Sequence, residues 1–113
     1  MSTVTLEVCS MDEVKRRFAR AFSGEEQGAF ISFESSEALW KTFTAKRWQL
    51  LKVLTGVGPV TIREAARRAG RDVKAVHGDV RALLNAGLLD KTEDGKIVFP
   101  YDAIHVDFIV KAA

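Results

Sequence analysis

Between Thr61 and Gly87 the chain carries two full sets of helix start and stop signals, with only Gly70-Arg71 between them. Thr61 and Glu64 have capping-box spacing, in which the hydroxyl satisfies a free backbone N–H of the first turn and the carboxylate reaches back. Ile62, Ala65, Ala66 and Ala69 then recur at i, i+3, i+4 and i+7, the period of a helix with one buried face. Asp72 is an N-cap residue for a second helix to about Ala86, and Gly87 closes it as the C′ glycine. The inward stripe of this second helix is Val73, Val76, Val80, Leu83 and Leu84. Two helices joined by so short a glycine-containing turn must meet at a steep angle, and few folds accommodate such a corner.

The flanking sequence narrows the choice. Val4, Leu6 and Val8 alternate as a short strand, and Ser10 with Glu13 opens a helix whose apolar face is Met11, Val14, Phe18 and Phe22. Lys15, Arg16, Arg17 and Arg20 lie on its other face, and a loop at residues 23–28 leads to a strand at Phe30-Ile31-Ser32-Phe33. Ser35 or Ser36 caps a short helix through Leu39, Trp40 and Phe43. Thr44 caps the next, to about Thr55, with Trp48, Leu50, Leu51, Val53 and Leu54 in its apolar sector, and Gly56 to Pro59 end it. After Gly87, Asp94-Gly95 between strand-like runs at residues 88–93 and 96–99 is a strong hairpin signal. Ile104, Val106, Phe108 and Val110 alternate as a final strand.

Three helices, the last two joined by a tight turn, followed by a hairpin, make the order of a winged helix-turn-helix. The expected fold class is α+β, mostly helical, with a strand-helix-strand extension at residues 1–34, the winged helix at 35–100 and a C-terminal strand and tail at 101–113. At 113 residues and 47% hydrophobic the chain can bury a core without metal or disulfide, and its apolar content excludes intrinsic disorder. No 18-residue apolar run is present to cross a membrane, the first ten residues do not read as a signal peptide, and Cys9 is the sole cysteine. These features lead to an expectation of a cytoplasmic protein without a membrane partner.

The net charge of +2 hides an uneven distribution. Residues 44–81 hold nine basic side chains against three acids, whereas the rest of the chain has eight basic and twelve acidic residues. A basic middle between acidic flanks points to a polyanion at the middle. A DNA major groove admits one α-helix, which must present a polar, close-fitting outer face. With the valine and leucine stripe inward, Lys74, Ala75, Gly78, Arg81 and Asn85 face out. Ala75 and Gly78 allow close approach, and Lys74 and Arg81 reach phosphates or base acceptors. The helix at 62–69 supplies Arg63, Arg67 and Arg68 as phosphate clamps, and Arg71 in the turn serves either task. Thr61, Asp72 and His77, with the hairpin lysines Lys91 and Lys96, complete the candidate DNA-contacting set. His77, at the border of the stripe, reads first as a packed or half-exposed structural histidine. Glu93-Asp94 make the hairpin tip acidic, and Gly78 in mid-helix costs about 1 kcal/mol relative to Ala.

The run from Trp48 to Asp79, with Thr61-Ile62-Arg63-Glu64-Ala65-Ala66-Arg67-Arg68 and Gly70-Arg71-Asp72-Val73-Lys74-Ala75-Val76-His77, resembles a prokaryotic family of winged-helix transcriptional regulators distantly like the MarR group. Phe33-Glu34-Ser35, Leu39-Trp40, Ala86-Gly87-Leu88, Thr92-Glu93-Asp94-Gly95 and Phe99-Pro100-Tyr101-Asp102 extend the likeness over about two-thirds of the chain. The resemblance implies sequence-specific binding of double-stranded DNA and repression. Some members look like the antitoxin half of toxin–antitoxin pairs, which implies a toxin partner. The family pattern leads one to expect an arginine where this chain has Gly78.

One winged helix reads one half-site, so a homodimer on an inverted repeat is expected, with the strand at Val4–Val8, the helix at 10–22 and the strand at 104–110 as interface candidates. Two distant histidines, His77 and His105, and one cysteine offer no metal spacing, and Gly56-Val57-Gly58 lacks the lysine and serine of a P-loop. No catalytic signature is visible, so neither enzyme activity nor a cofactor is expected. His105 reads as surface, while Trp40, Trp48 and Cys9 read as core. The competing class is a winged helix used as a protein-interaction module, whose partner binding would depend only weakly on salt.

Overall fold

A computed structural model describes residues 2–8, residue 15 and residues 29–107. Its described elements are strands β1 (Thr3–Val8) and β2 (Ala29–Phe33), helices α1 (Ser36–Thr42), α2 (Ala45–Leu54), α3 (Ile62–Ala69) and α4 (Val73–Ala86), and strands β3 (Asp90–Lys91), β4 (Ile97–Val98) and β5 (Ala103–Asp107). The protein is thus of mixed α+β class. Two compact units divide it: residues 1–41 with 103–113, and residues 42–102. β5 pairs with β1 and so returns the chain to the first unit.

In the first unit the three alternating segments form one sheet of order β2-β1-β5, parallel throughout. Parallel neighbours require crossover connections of a dozen residues or more, and residues 9–28 supply one between β1 and β2. The other neighbour, β5, is reached only after the whole second unit. As the central strand, β1 has Val4 and Leu6 fully buried. Both edges of β1 are thus paired within the chain. On the opposite face Glu7 is buried, and the Ser32 hydroxyl donates to its Oε1 at 3.0 Å across the register pair Glu7↔Ser32. Ser35 caps α1, its Oγ accepting from the Ala38 N–H at 3.1 Å. The expected helix at 10–22, Cys9 and the strand residues Phe108 and Val110 lie outside the described residues.

The second unit builds its core from α2, α3 and α4. Leu50, Leu51 and Leu54 face Ala65 and Ala66 of α3 and Val76, Val80 and Leu83 of α4, all buried, with Leu88, Leu89, Ile97 and Phe99 closing the far side. Trp48 departs from expectation at 38% exposed, lying about 110° round the helix from the centre of the leucine stripe. Its ring meets Phe43 edge-on, with centroids 5.2 Å apart. Trp40, also expected in the core, is exposed. Val73 has the phase of the buried stripe yet is 43% exposed. His77 is exposed.

β3 and β4 pair antiparallel around a loop at residues 92–96. A further strand contact joins Val60, immediately before α3, to Ile97, with N–H···O bonds of 2.9 and 2.8 Å in the two directions. The hairpin is thereby fixed against the start of α3.

Candidate nucleic-acid interface

The corner between α3 and α4 is held by backbone bonds its own sequence dictates. Thr61 Oγ1 accepts from the Glu64 N–H at 3.1 Å, and Asp72 Oδ2 accepts from the Ala75 N–H at 3.3 Å. Both caps are the ones the sequence predicts. Between them Gly70 adopts φ +66°, which only glycine accepts without strain. That conformation lets Gly70 N–H reach Arg67 O at 3.2 Å and Arg71 N–H reach Ala66 O at 3.0 Å, a paired closure of the helix end. Gly87, at φ +84°, ends α4 in the same way.

Each acid of the basic segment is engaged inside the unit. Glu64 takes Arg67 through both Nε (2.9 Å) and Nη2, and Arg68 Nε at 3.0 Å. The hydrogen-bonded Arg67 guanidinium holds the Glu64 carboxyl below the usual carboxylate range, and Glu64 in turn raises Arg67. Asp79 of α4 makes a second fork: Arg47 Nε donates to its Oδ1 at 3.1 Å and Arg71 Nη2 to its Oδ2 at 2.8 Å. Arg47 Nη1 also donates to Thr42 O at 2.8 Å. All three side chains of this fork are largely buried. Arg71, assigned from sequence to DNA, thus ties the turn to α4, and its Nη1 is buried without a hydrogen-bond partner.

The remaining cations stand apart. Arg63 in the first turn of α3 and Lys74 and Arg81 on α4 are exposed and make no ion pair among the described residues. Lys74, Gly78, Arg81 and Asn85, spaced i, i+4, i+7 and i+11, share one exposed face, with Ala75 and His77 on its flanks. A Cβ built at Gly78 meets nothing within 4 Å, so the glycine is not required by packing within the chain. Along this face Gly78 lies between Lys74 and Arg81, neither of them in an ion pair among the described residues.

On the hairpin, Lys96 Nζ lies 3.6 Å from Asp94 Oδ2, which offsets part of its charge, while Lys91 is exposed without an ion pair among the described residues. The loop is tied by Thr92, whose N–H donates to Lys96 O at 2.8 Å and whose Oγ1 accepts from Lys96 N–H at 3.0 Å. The Thr92 hydroxyl also bonds to Asp94 and draws that carboxyl below its usual range.

Sequence reasoning placed the two helices and the hairpin but missed the Arg47–Asp79–Arg71 fork and the Val60–Ile97 pair. The fork joins residues 32 positions apart, beyond any periodic signal. The pair rests on one β-branched residue between Pro59 and the Thr61 cap.

No helix among the described residues is long and apolar enough to cross a membrane, and none of their His, Cys, Asp and Glu side chains group as metal ligands. No curated protein and no solved structure matches the chain. The family model HVO_A0114 matches residues 42–106, the whole of the unit that carries the exposed basic helix and most of β5. On that match, which spans more than half of its length, the chain belongs to the HVO_A0114 family.

Proposed function

We propose that the protein is a winged helix-turn-helix regulator that binds double-stranded DNA, with α4 entering the major groove, α3 crossing the backbone and the β3–β4 hairpin as the wing. One observation carries the reading. The acids near α4 are used up in capping and in two arginine forks, while Lys74 and Arg81 remain unpaired on either side of Gly78. A helix face so arranged brings cations to phosphate or to guanine acceptors and leaves room between them for base edges. The pairing of Val60 with Ile97 supports the wing, since it gives the hairpin a third strand contact at the start of α3.

The proposal assigns Arg63, Lys74, Arg81 and Lys91 to the DNA and removes Arg71, Thr61 and Asp72 to structural work. Arg67 and Arg68 sit beside Glu64 as a shared charge that still sums to positive. The regulator acts as a homodimer on an inverted repeat, as a repressor, because one such helix reads only one half-site.

Fluorescence anisotropy against the protein's own upstream region and a scrambled duplex, at low and physiological salt, tests this. The expected result is tighter binding to the upstream region, with log K falling by about 0.9 per log salt for each phosphate contacted. Absence of binding to both duplexes at low salt overturns the proposal and leaves the protein-interaction module, a toxin-binding antitoxin included, as the reading to pursue by pull-down.

A further inference from the structure

We propose that a hollow between α2 and the α3–α4 turn binds a small organic carboxylate, its charge held between Lys52 and Arg71 and its apolar body set against Val53 and Ala69. The site lies wholly within the helical unit and does not depend on the DNA reading above.

Gln49, Leu50, Lys52 and Val53 of α2, with Ala69 and Arg71 on either side of Gly70, line a hollow of about 280 Å³. That volume falls just short of the pockets that take drug-sized ligands, so its occupant is small. The lining divides by chemistry. Leu50, Val53 and Ala69 are apolar, Gln49 offers an amide, Lys52 and Arg71 are cationic, and no acid lines the hollow among the described residues. Lys52 is exposed and makes no ion pair among the described residues. Arg71 adds a feature independent of shape. Its Nη2 donates to Asp79 Oδ2, while Asp79 Oδ1 takes Arg47. The fork therefore leaves Nη1 without an acceptor, and Nη1 is buried with no hydrogen-bond partner. A buried donor in that condition is costly, the more so on a charged group, and an anion beside it removes the cost. With the guanidinium swung about its Nη2 bond to Asp79, Nη1 meets one carboxylate oxygen in the hollow and Lys52 the other. Charge-assisted bonds of this kind are the strong ones. The apolar wall gains only from a ligand with an apolar body, which favours an organic acid over inorganic phosphate.

The test uses ¹⁵N-labelled full-length protein at low ionic strength, titrated with cyclohexanecarboxylate, the neutral cyclohexanecarboxamide and inorganic phosphate. Amide signals of residues 49–53 and 69–71 and the arginine Nε–H signals are followed. Saturable shifts at these positions are expected with the carboxylate. The carboxamide, lacking the charge, is expected to bind at least about tenfold more weakly, and phosphate more weakly than the carboxylate. Lys52→Gln and Gln49→Glu change exposed side chains, and each is expected to weaken the carboxylate by about threefold. A thermal melt in parallel verifies that both variants are folded. Equal binding of the carboxamide overturns the anion site. Phosphate binding as tight as the carboxylate overturns the assignment to an organic acid. Shifts that both variants leave unchanged place the ligand elsewhere and overturn the site. Absence of saturable shifts with all three probes overturns the inference and leaves Nη1 to water. None of these outcomes alters the DNA titration, so this inference and the proposed function fail separately.

Discussion

Gly78→Ala separates what the fold needs from what the face is for. Gly78 lies six residues into a helix of 14, it is absent from the positive-φ glycines, and an added Cβ meets nothing within 4 Å. Alanine therefore fits without strain and removes the helix penalty of glycine, worth about 1 kcal/mol. In a domain of this size that gain corresponds to a rise in Tm of about 4–8 °C, read by circular dichroism or calorimetry. Against DNA the same methyl fills the strip between Lys74 and Arg81. An extra methylene in a close-packed contact costs about 1–3 kcal/mol, a loss of about fivefold or more in affinity by anisotropy. The variant is expected to be more stable and to bind less well, a trade characteristic of surfaces shaped for a partner. An unmoved or lowered Tm refutes the helix argument. A stabilised variant with unchanged affinity refutes the placement of this face against DNA.

Asp79→Ala is expected to destabilise the protein by about 2 kcal/mol in urea melts, somewhat less than a fully buried pair, because it strands two largely buried guanidiniums. A loss within the ordinary scatter of surface mutations counts against the fork as a structural tie. Arg63→Ala is expected to leave the melt unchanged and to lower the salt slope of DNA binding by about one, equally for any sequence. The depressed Glu64 carboxyl contributes stability that is fully present above the unfolded carboxylate value of about 4.3 and is lost as pH falls through its lower folded value. Glu64→Gln is expected to lose less stability than wild type between pH 5 and pH 3. Parallel acid melts of the two proteins refute the ion pairs if their slopes coincide.

Much of this arrangement was legible locally. Thr44, Thr61, Asp72, Gly70 and Gly87 each announce a helix end, and each acts there because the backbone groups they satisfy lie within a few residues. The alternating runs at 4–8 and 104–110 and the apolar run at 30–33 likewise marked strands, the described part of the second ending at Asp107. Periodicity says that a segment is extended but not with what it pairs, so the parallel joining of β1 to β2 and β5 was out of reach. Val73 misled for a related reason. A helical phase assigns a face, but how far along the helix that face is covered depends on where the neighbouring helices end. The candidate site divided along the same line: the exposed residues of α4 follow from phase, whereas the diversion of Arg71 to Asp79 depends on the three-dimensional closure of the corner.

The position of β5 has a consequence for the order in which the protein assembles. Thr3 pairs with Ala103, so the central strand gains its second neighbour from almost the opposite end of the chain. The helical unit at 42–102 closes through contacts between elements near in sequence, which form quickly, whereas sheet pairing across so long a loop is slow. The helical unit can therefore reach its packing while the β5 side of β1 is still an open edge, and the sheet is complete only when β5 joins it. Between those two moments the unpaired edge of β1 is most exposed to strand exchange with another copy.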